Sequence, residues 1–269
     1  MIIIIICTAV VLSAVLLYLF LIFPSVKYRF PQEFTEKPIV HRGMVNSKFP
    51  ENSFKAIKAA IDEGFPVEFD VRLTKDEIPV VFHDKSLKRM CGEDRLLKDV
   101  CYAELSELYL ASSNEHIPTL AEVLDGADVK VPLLIELKGE DRSAVAKKVA
   151  ELLVHYDGIV AVESFNPYHL MRFRRYDSAV SLGLLSGRKI GSTPFTVFFG
   201  TLAMSMCLNF LFRPDFIAFR YTDKLSLGVK ICRKLGTPVF GWTVVGNQAY
   251  IENRNRFDGL ICDNIVRER

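Results

Sequence analysis

The chain reads IVHRG at 39–43, PENS at 50–53, VEFDVRLT at 67–74 and IPVVFHD at 78–84. Three of these segments are short apolar runs that carry polar residues at or near their C-terminal ends. A parallel β/α barrel collects its active site at that end of its strands. Two histidines, an arginine and two carboxylates placed in this way indicate a metal-assisted hydrolase.

The composition is that of an ordinary globular protein. The 269 residues are 50% apolar and 25% charged with a formal net charge of +2, which allows one large domain or two small ones. The near-zero charge balance gives no reason to expect nucleic acid as a partner. The six cysteines are scattered without a CxxC pair, so we expect free thiols rather than a zinc cage or disulfides.

Residues 1–23 contain no charge, and Pro24 ends the run. About 20 apolar residues suffice to cross a bilayer as a helix. A cleaved signal peptide would begin with a basic region and end in a small-residue cleavage site, and nothing basic precedes this run. We therefore predict a single uncleaved membrane anchor followed by a polar linker at 24–37. Free thiols favour a cytoplasmic location for the rest of the protein. So do the basic residues that follow the span, Lys27, Arg29 and Lys37.

The rest of the chain, 38–269, alternates strand-like and helix-like runs. Strands are predicted at 39–42, 66–71, 78–83, 132–137, 159–164, 179–185, 216–220 and 238–244. Helix starts are indicated by Asn52 or Ser53, by a capping box at Thr119 and Glu122, and by Asn166 before Pro167. Eight strands with crossover helices predict a (β/α)₈ TIM barrel. An open doubly wound sheet is the alternative, but Gly43 alone is not its glycine-rich phosphate turn.

One segment, 193–212, is too apolar for an ordinary barrel helix, since it reads TPFTVFFGTLAMSMCLNFLF without a charge. Barrel helices usually keep one face in water. Two interpretations stay open. The segment is either a buried crossover helix or an apolar element that contacts the membrane near the mouth of the active site.

Three carboxylates are expected at the mouth of the barrel. Glu68 and Asp70 are two residues apart on one strand, so their side chains share a face, and Glu136 and Lys138 repeat this spacing on another strand. Converging carboxylates repel one another unless a hard divalent cation binds between them, and Mg²⁺ and Ca²⁺ both prefer oxygen ligands. A salt bridge explains one such residue alone; the set favours a metal site.

The remaining polar residues supply acid–base groups and positive charge. His41 and His83 each follow an apolar strand, and imidazoles beside a metal site can exchange protons near neutral pH. Asp84 is expected to cap the next turn, because adjacent strand residues point to opposite faces. Arg42 and Lys138 can hold a phosphate or balance the carboxylates. Trp242, the only tryptophan, is either a core residue or an apolar wall for the substrate.

These motifs together resemble one known family. HRG, PENS, E-x-D-V, D-x-x-P-V-V-x-H-D, I-P-T-L-x-E-V-L, E-x-K, S-F and W-T-V occur in the order typical of glycerophosphodiester phosphodiesterases, from about Ile39 to the C-terminus. Met44 and the Val245-Gly246 insertion before Asn247 depart from the usual pattern. The apolar 193–212 segment is similar to that of membrane-associated members, some of which cleave lysophospholipids.

The resemblance implies a TIM barrel that hydrolyses a phosphodiester to an sn-glycerol 3-phosphate-type product and an alcohol. It implies His41 and His83 as the acid–base pair, Arg42 and Lys138 as phosphate contacts, and one Mg²⁺ or Ca²⁺ on the carboxylates Glu68, Asp70 and Glu136. The substrate is expected to be a glycerophosphodiester or a lysophospholipid at a bilayer. Two alternatives remain: a phospholipase D- or C-like enzyme that forms a cyclic phosphate, and a catalytically silent membrane protein that binds lipid head groups.

Overall fold

The computed structural model describes residues 1–25, 30–139, 144–187 and 194–263. Lys27, Arg29 and Thr193, which the predictions on orientation and on the apolar segment include, lie outside the described residues. The strands are β1 (Ile39–His41), β2 (Val67–Leu73), β3 (Pro79–Val81), β4 (Leu133–Leu137), β5 (Val160–Ser164), β6 (Ser181–Ser186), β7 (Phe216–Arg220), β8 (Val239–Val245) and β9 (Gly259–Asp263).

The helices alternate with these strands. They are α1 (Ile2–Ile22), α2 (Glu33–Glu36), α3 (Phe54–Asp62), α4 (Lys88–Cys91), α5 (Tyr102–Leu105), α6 (Leu120–Ala127), α7 (Ala144–Leu153), α8 (Pro167–Tyr176), α9 (Pro194–Met204), α10 (Leu227–Lys234) and α11 (Gly246–Asn253). Short 3₁₀ turns occupy Leu97–Asp99 and Asn209–Leu211. The predicted N-caps are confirmed: Ser53 caps α3, Thr119 and Glu122 form a capping box, and Asn166 caps α8.

The sheet closes into a barrel, which confirms the predicted fold. Parallel pairing runs from β1 through β2, β4, β5, β6, β7, β8 and β9, and β9 pairs with β1 again. This closure excludes the open doubly wound sheet. Parallel neighbours need long crossover connections, and the larger helices between the strands supply them.

One predicted barrel strand was wrong, and one barrel strand was not predicted. The run at 78–83 gives β3, which pairs antiparallel with β2 and is not one of the barrel strands. The five residues 74–78 that separate β2 from β3 form a tight turn with Glu77 at φ 61°, and this is far too short for a parallel crossover. The eighth barrel strand is β9, the short GLICD segment, to which the sequence analysis gave no strand.

The predicted linker at 24–37 contributes residues to the core. Phe30 and Phe34 are buried, and the Phe30 ring lies 4.7 Å from that of Phe216 and 5.2 Å from that of Phe240. Together with Ile39 and Ile261 these rings belong to the apolar cluster inside the barrel. Part of the segment between helix α1 and β1 therefore contributes to the core that the barrel strands enclose.

Helix α1 is joined to the barrel by its last turn. Among the described residues it is the one helix whose length and composition would let it cross a bilayer. Arg213 donates to the carbonyls of Phe20 and Phe23, both at 2.8 Å, and Asn209 donates to that of Ile22 at 2.8 Å. Ile22 is fully buried, whereas almost all of the preceding residues of α1 are exposed.

The apolar segment at 193–212 is divided between the surface and the core. Val197 and Phe198 on α9 are exposed, whereas Met206 and Phe212 are buried among core residues. The segment therefore combines features of both interpretations, and its contact with a membrane stays a prediction.

Candidate active site

The C-terminal ends of the barrel strands surround one cavity that contains most of the predicted site. Seven of the eight predicted residues line it: His41, Arg42, Glu68, His83, Glu136, Lys138 and Trp242. The eighth, Asp70, is fully buried and contacts Arg42 and Lys138. We divide the cavity into a charged wall (His41, Arg42, Glu68, His83, Glu136 and Lys138) and an aromatic wall (Glu163, Phe165, Leu185 and Trp242).

The three predicted carboxylates converge. Asp70 on β2 is the cross-strand neighbour of Glu136 on β4, and Glu68 lies two residues before Asp70 on the same face. One oxygen of each lies within 4.8 Å of the others, and all three residues are buried. Such a set of oxygen donors fits Mg²⁺ or Ca²⁺.

Charge in this cluster is only partly balanced by the protein. Lys138 Nζ lies 3.2 Å from Asp70 Oδ1 and 2.8 Å from Glu136 Oε1, and Arg42 Nε lies 3.1 Å from Asp70 Oδ2. Burial would raise the pKa of Asp70, but Lys138 and Arg42 outweigh it and lower that pKa well below its usual range. Burial raises the pKa of Glu136 to about 7. Burial, Asp70 and Glu136 raise the pKa of Glu68. More positive charge would therefore stabilise the ionised cluster.

The loop after β1 is shaped to place Arg42 over this cluster. Arg42 has φ 57°, and Gly43 has φ 83°. A Cβ on residue 43 would lie 2.5 Å from the Ala56 backbone, so only glycine permits this close packing of the loop on α3. Asn52, also at positive φ, donates to Asp70 Oδ2 at 2.8 Å. The HRG and PEN motifs thus fix the arginine and one carboxylate by backbone geometry.

Each histidine has its Nδ1 engaged by an aspartate. His41 Nδ1 lies 2.7 Å from Asp263 Oδ1, while its Nε2 lies 3.7 Å from Glu68 Oε2. His83 Nδ1 lies 2.6 Å from Asp84 Oδ1. The expectation that Asp84 caps a turn instead of orienting His83 was wrong, because β3 ends at Val81 and strand alternation no longer applies to residues 83 and 84.

A chain of ion pairs connects Arg42 with His83. Glu51 Oε1 lies 2.9 Å from Arg42 Nη1 and 2.6 Å from Arg89 Nη2, and Arg89 Nε lies 2.5 Å from Asp84 Oδ2. Burial would raise the pKa of Asp84, but the hydrogen bonds from Arg89 and His83 outweigh burial and lower this pKa to about 2. Burial lowers the pKa of His83, although the Asp70 charge acts in the opposite direction. The neutral imidazole is therefore the favoured form of His83 near neutral pH.

The aromatic wall completes the lining of the cavity. Trp242 lies within β8 rather than at its end, and its Nε1 donates to the Ala218 carbonyl at 3.0 Å. Its ring meets that of Phe165 edge-on, with centroids 5.2 Å apart. Glu163 is 1% exposed, and burial and the nearby Glu136 raise its pKa well above the usual range.

Comparison with known proteins agrees with this geometry. The sequence model described as "Glycerophosphoryl diester phosphodiesterase family" matches residues 41–267. The chain belongs to this family.

Relatives and solved structures support the assignment along most of the chain. A glycerophosphodiester phosphodiesterase of Caldanaerobacter subterraneus is 28% identical over 254 residues, covering 86% of this chain and 97% of that protein. The Bacillus subtilis protein YhdW is 29% identical over 237 residues, covering 84% of this chain and 93% of that protein. The crystal structure of a Thermotoga maritima glycerophosphodiester phosphodiesterase has a TM-score of 0.64 at 28% identity, covering 84% and 95% of the two chains.

Several site residues of this glycerophosphoryl diester phosphodiesterase family member were missed by sequence reasoning. Asn52 and Glu51 lie in the PENS motif, which signalled a helix start but not a contact with Asp70 or Arg42. Asp263 lies on β9, which was not predicted as a strand. Glu163 lies in an apolar strand with only the neighbouring Ser164-Phe165 singled out, and its cross-strand pairing with Glu136 is visible only in the fold.

Proposed function

We propose that this protein hydrolyses glycerophosphodiesters, either deacylated phospholipids or lysophospholipids, to a glycerol 3-phosphate-type product and an alcohol. One observation carries the proposal: three buried carboxylates converge, and two of them line a cavity together with two histidines that are each bound by an aspartate. Family membership supports the same reaction class.

Glu68, Asp70 and Glu136 would hold one divalent cation, Mg²⁺ or Ca²⁺. When bound, such an ion supplies positive charge for the phosphate and lowers the pKa of an attacking hydroxyl. The donor set of carboxylate oxygens suits both ions, so the choice between them requires measurement.

Arg42 and Lys138 are proposed to bind the phosphate. Both are held in place by Asp70, and both line the cavity, so their charges are already positioned before a ligand arrives. A fixed positive charge costs little reorganisation when negative charge builds on the phosphate oxygens.

His41 and His83 are proposed as the acid–base pair. Because Asp263 and Asp84 engage the Nδ1 atoms, each ring has its Nε2 left for proton exchange with the substrate. One histidine removes a proton from the attacking hydroxyl, and the other donates a proton to the leaving alcohol oxygen. Trp242 would contact the organic part of the substrate.

A direct test uses the full-length protein in detergent with glycerophosphocholine, glycerophosphoethanolamine and lysophosphatidylcholine. We expect release of glycerol 3-phosphate or its lyso equivalent, loss of activity with chelator, and recovery with Mg²⁺ or Ca²⁺. Phosphorus NMR of the products separates hydrolysis from the cyclic phosphate that an internal attack by the glycerol 2-hydroxyl would leave. Metal binding without turnover of any substrate would favour a silent head-group-binding protein.

We also propose that α1 is retained as a membrane anchor, with the barrel on the cytoplasmic side. The support is the junction at its last turn. Cleavage after residue 23 would detach the carbonyls that Arg213 and Asn209 bind and would leave the fully buried Asn209 amide with only the weak acceptor Cys232 Sγ. The intact mass of the protein from membranes checks the first proposal; a mass lacking the first 23 residues would contradict it. Protease protection of oriented vesicles checks the second.

A further inference from the structure

Glu163 is a buried carboxylate that the proposed reaction does not use. It lies on β5 and lines the cavity, yet it is 1% exposed. Its Oε2 has no hydrogen-bond partner among the residues that the structure describes. A buried acceptor without a partner is costly, so such a group in a binding cavity is expected to meet a hydrogen-bond donor or a positive charge of the ligand.

Two aromatic rings line the same cavity as this carboxylate. Phe165 follows Glu163 by two residues, and its ring contacts that of Trp242 edge-on. The hydrogen bond from Trp242 Nε1 to Ala218 fixes the orientation of the indole. Aromatic faces attract ammonium groups, and quaternary ammonium ligands are typically bound by aromatic residues of this kind.

We propose that Glu163, Phe165 and Trp242 form a subsite for an alkylammonium head group, such as choline or ethanolamine, on the alcohol side of the scissile bond. This inference rests on the proposed function, because it assigns the substrate preference of that same cavity. The phosphate lies against Arg42 and Lys138, and the head group extends along the aromatic wall. The Oε2 of Glu163 would meet the positive charge of the head group, and the two rings supply the apolar surface.

The test compares kcat/KM for a positively charged and a neutral head group. Full-length wild type and Glu163→Gln are assayed in detergent with glycerophosphocholine and with glycerophosphoglycerol. We expect Glu163→Gln to lower kcat/KM for glycerophosphocholine by about 10-fold to 100-fold, with a change of less than about 3-fold for glycerophosphoglycerol. Thr243→Val, which alters another residue lining the same cavity, should leave the ratio between the two substrates unchanged.

Inhibition by a free ammonium ion tests the same subsite in the unmodified protein. Tetramethylammonium should compete with glycerophosphocholine in wild type, and about 10-fold more should be needed in Glu163→Gln. Equal losses on both substrates, or equal inhibition of both proteins, would overturn the inference and assign Glu163 to the shared glycerol phosphate or the metal. Wild type that is inactive on every glycerophosphodiester would contradict the proposed function itself.

Discussion

The charged and aromatic walls of the cavity differ in how complete they are without a ligand. On the charged wall each ionisable side chain has a hydrogen-bond or ion-pair partner, with Asp70 joining Arg42 and Lys138 and with an aspartate on each histidine. On the aromatic wall Trp242 is held in place, but Glu163 keeps an oxygen without a partner among the described residues. A preorganised wall suits chemistry common to all substrates, and an incomplete wall suits recognition of one substituent.

The largest effect is expected from removing a histidine of the charged wall. His41→Ala and His83→Ala should each lower kcat by about 1,000-fold, since positioned acid–base groups contribute about 100-fold to 10,000-fold. His155→Ala, at an exposed position, is the matched control and should keep full activity. Steady-state assays with thermal unfolding curves check that the fold is retained. If His83→Ala kept a tenth of the wild-type rate, the charged wall would not be the catalytic side.

A large loss of stability is expected when the shared partner of the two cations is neutralised. Asp70→Asn should lower the free energy of unfolding by about 3 kcal/mol in chelator, because Arg42 and Lys138 lose their buried partner. Asp62→Asn removes an exposed pair with Lys58 and should cost less than about 1 kcal/mol. Urea denaturation of the full chain in detergent measures both.

The same variant has a defined pH dependence. The pKa of Asp70 is lowered in the folded state, so its charge stabilises the fold above the unfolded-state pKa of about 3.9. The advantage of wild type over Asp70→Asn should therefore persist at neutral pH and shrink as the pH falls below about 4. An advantage that grew in acid would contradict the pairing of Asp70 with these cations.

A moderate effect is expected in the pH profile of Asp84→Asn. The hydrogen bond that His83 Nδ1 donates to Asp84 raises the pKa of His83, so its loss should lower that pKa further. One limb of the profile of kcat/KM should move to lower pH by about half a unit to one unit. Movement of the acidic limb would identify His83 as the base, and movement of the alkaline limb would identify it as the acid. Asp94→Asn, at an exposed position, serves as the control. An unmoved profile for Asp84→Asn would separate Asp84 from the reaction.

The smallest effect is expected on the aromatic wall. Trp242→Leu should raise KM for glycerophosphocholine by about 3-fold to 10-fold and leave kcat within about 2-fold, because it removes contact area without touching the reacting groups. Trp242→Phe keeps an aromatic face and should lie closer to wild type. A fall in kcat equal to that of the histidine variants would remove the distinction between the two walls.

The charged wall could be predicted from the sequence because strand geometry is local. Residues two apart on a strand share a face, so Glu68 with Asp70, and Glu136 with Lys138, could be assigned to the strand ends before any tertiary contact was known. The apolar run at 78–83 was wrongly predicted as a barrel strand, because the pairing of a strand is not set by its own residues. Its pattern is that of a strand, but the turn before it decides whether that strand is parallel.

Other parts of the site depend on contacts that no local pattern contains. His41 meets Asp263 across 222 residues of chain, through a strand that was not predicted. Glu163 faces Glu136 only because β4 and β5 pair in one register. Such pairings follow from closure of the barrel, so they could not be read from spacing alone.

The junction at the end of α1 attaches the helix firmly to the barrel. Arg213, Asn209 and Cys232 contact carbonyls of the last turn, and Arg213 also stacks over the Phe20 ring at 4.9 Å. With α1 inserted in a bilayer, any tilt imposed by lipid thickness is passed on to the barrel instead of being absorbed by a slack tether. The composition of the surrounding lipids would then set the angle at which the catalytic opening meets its substrates.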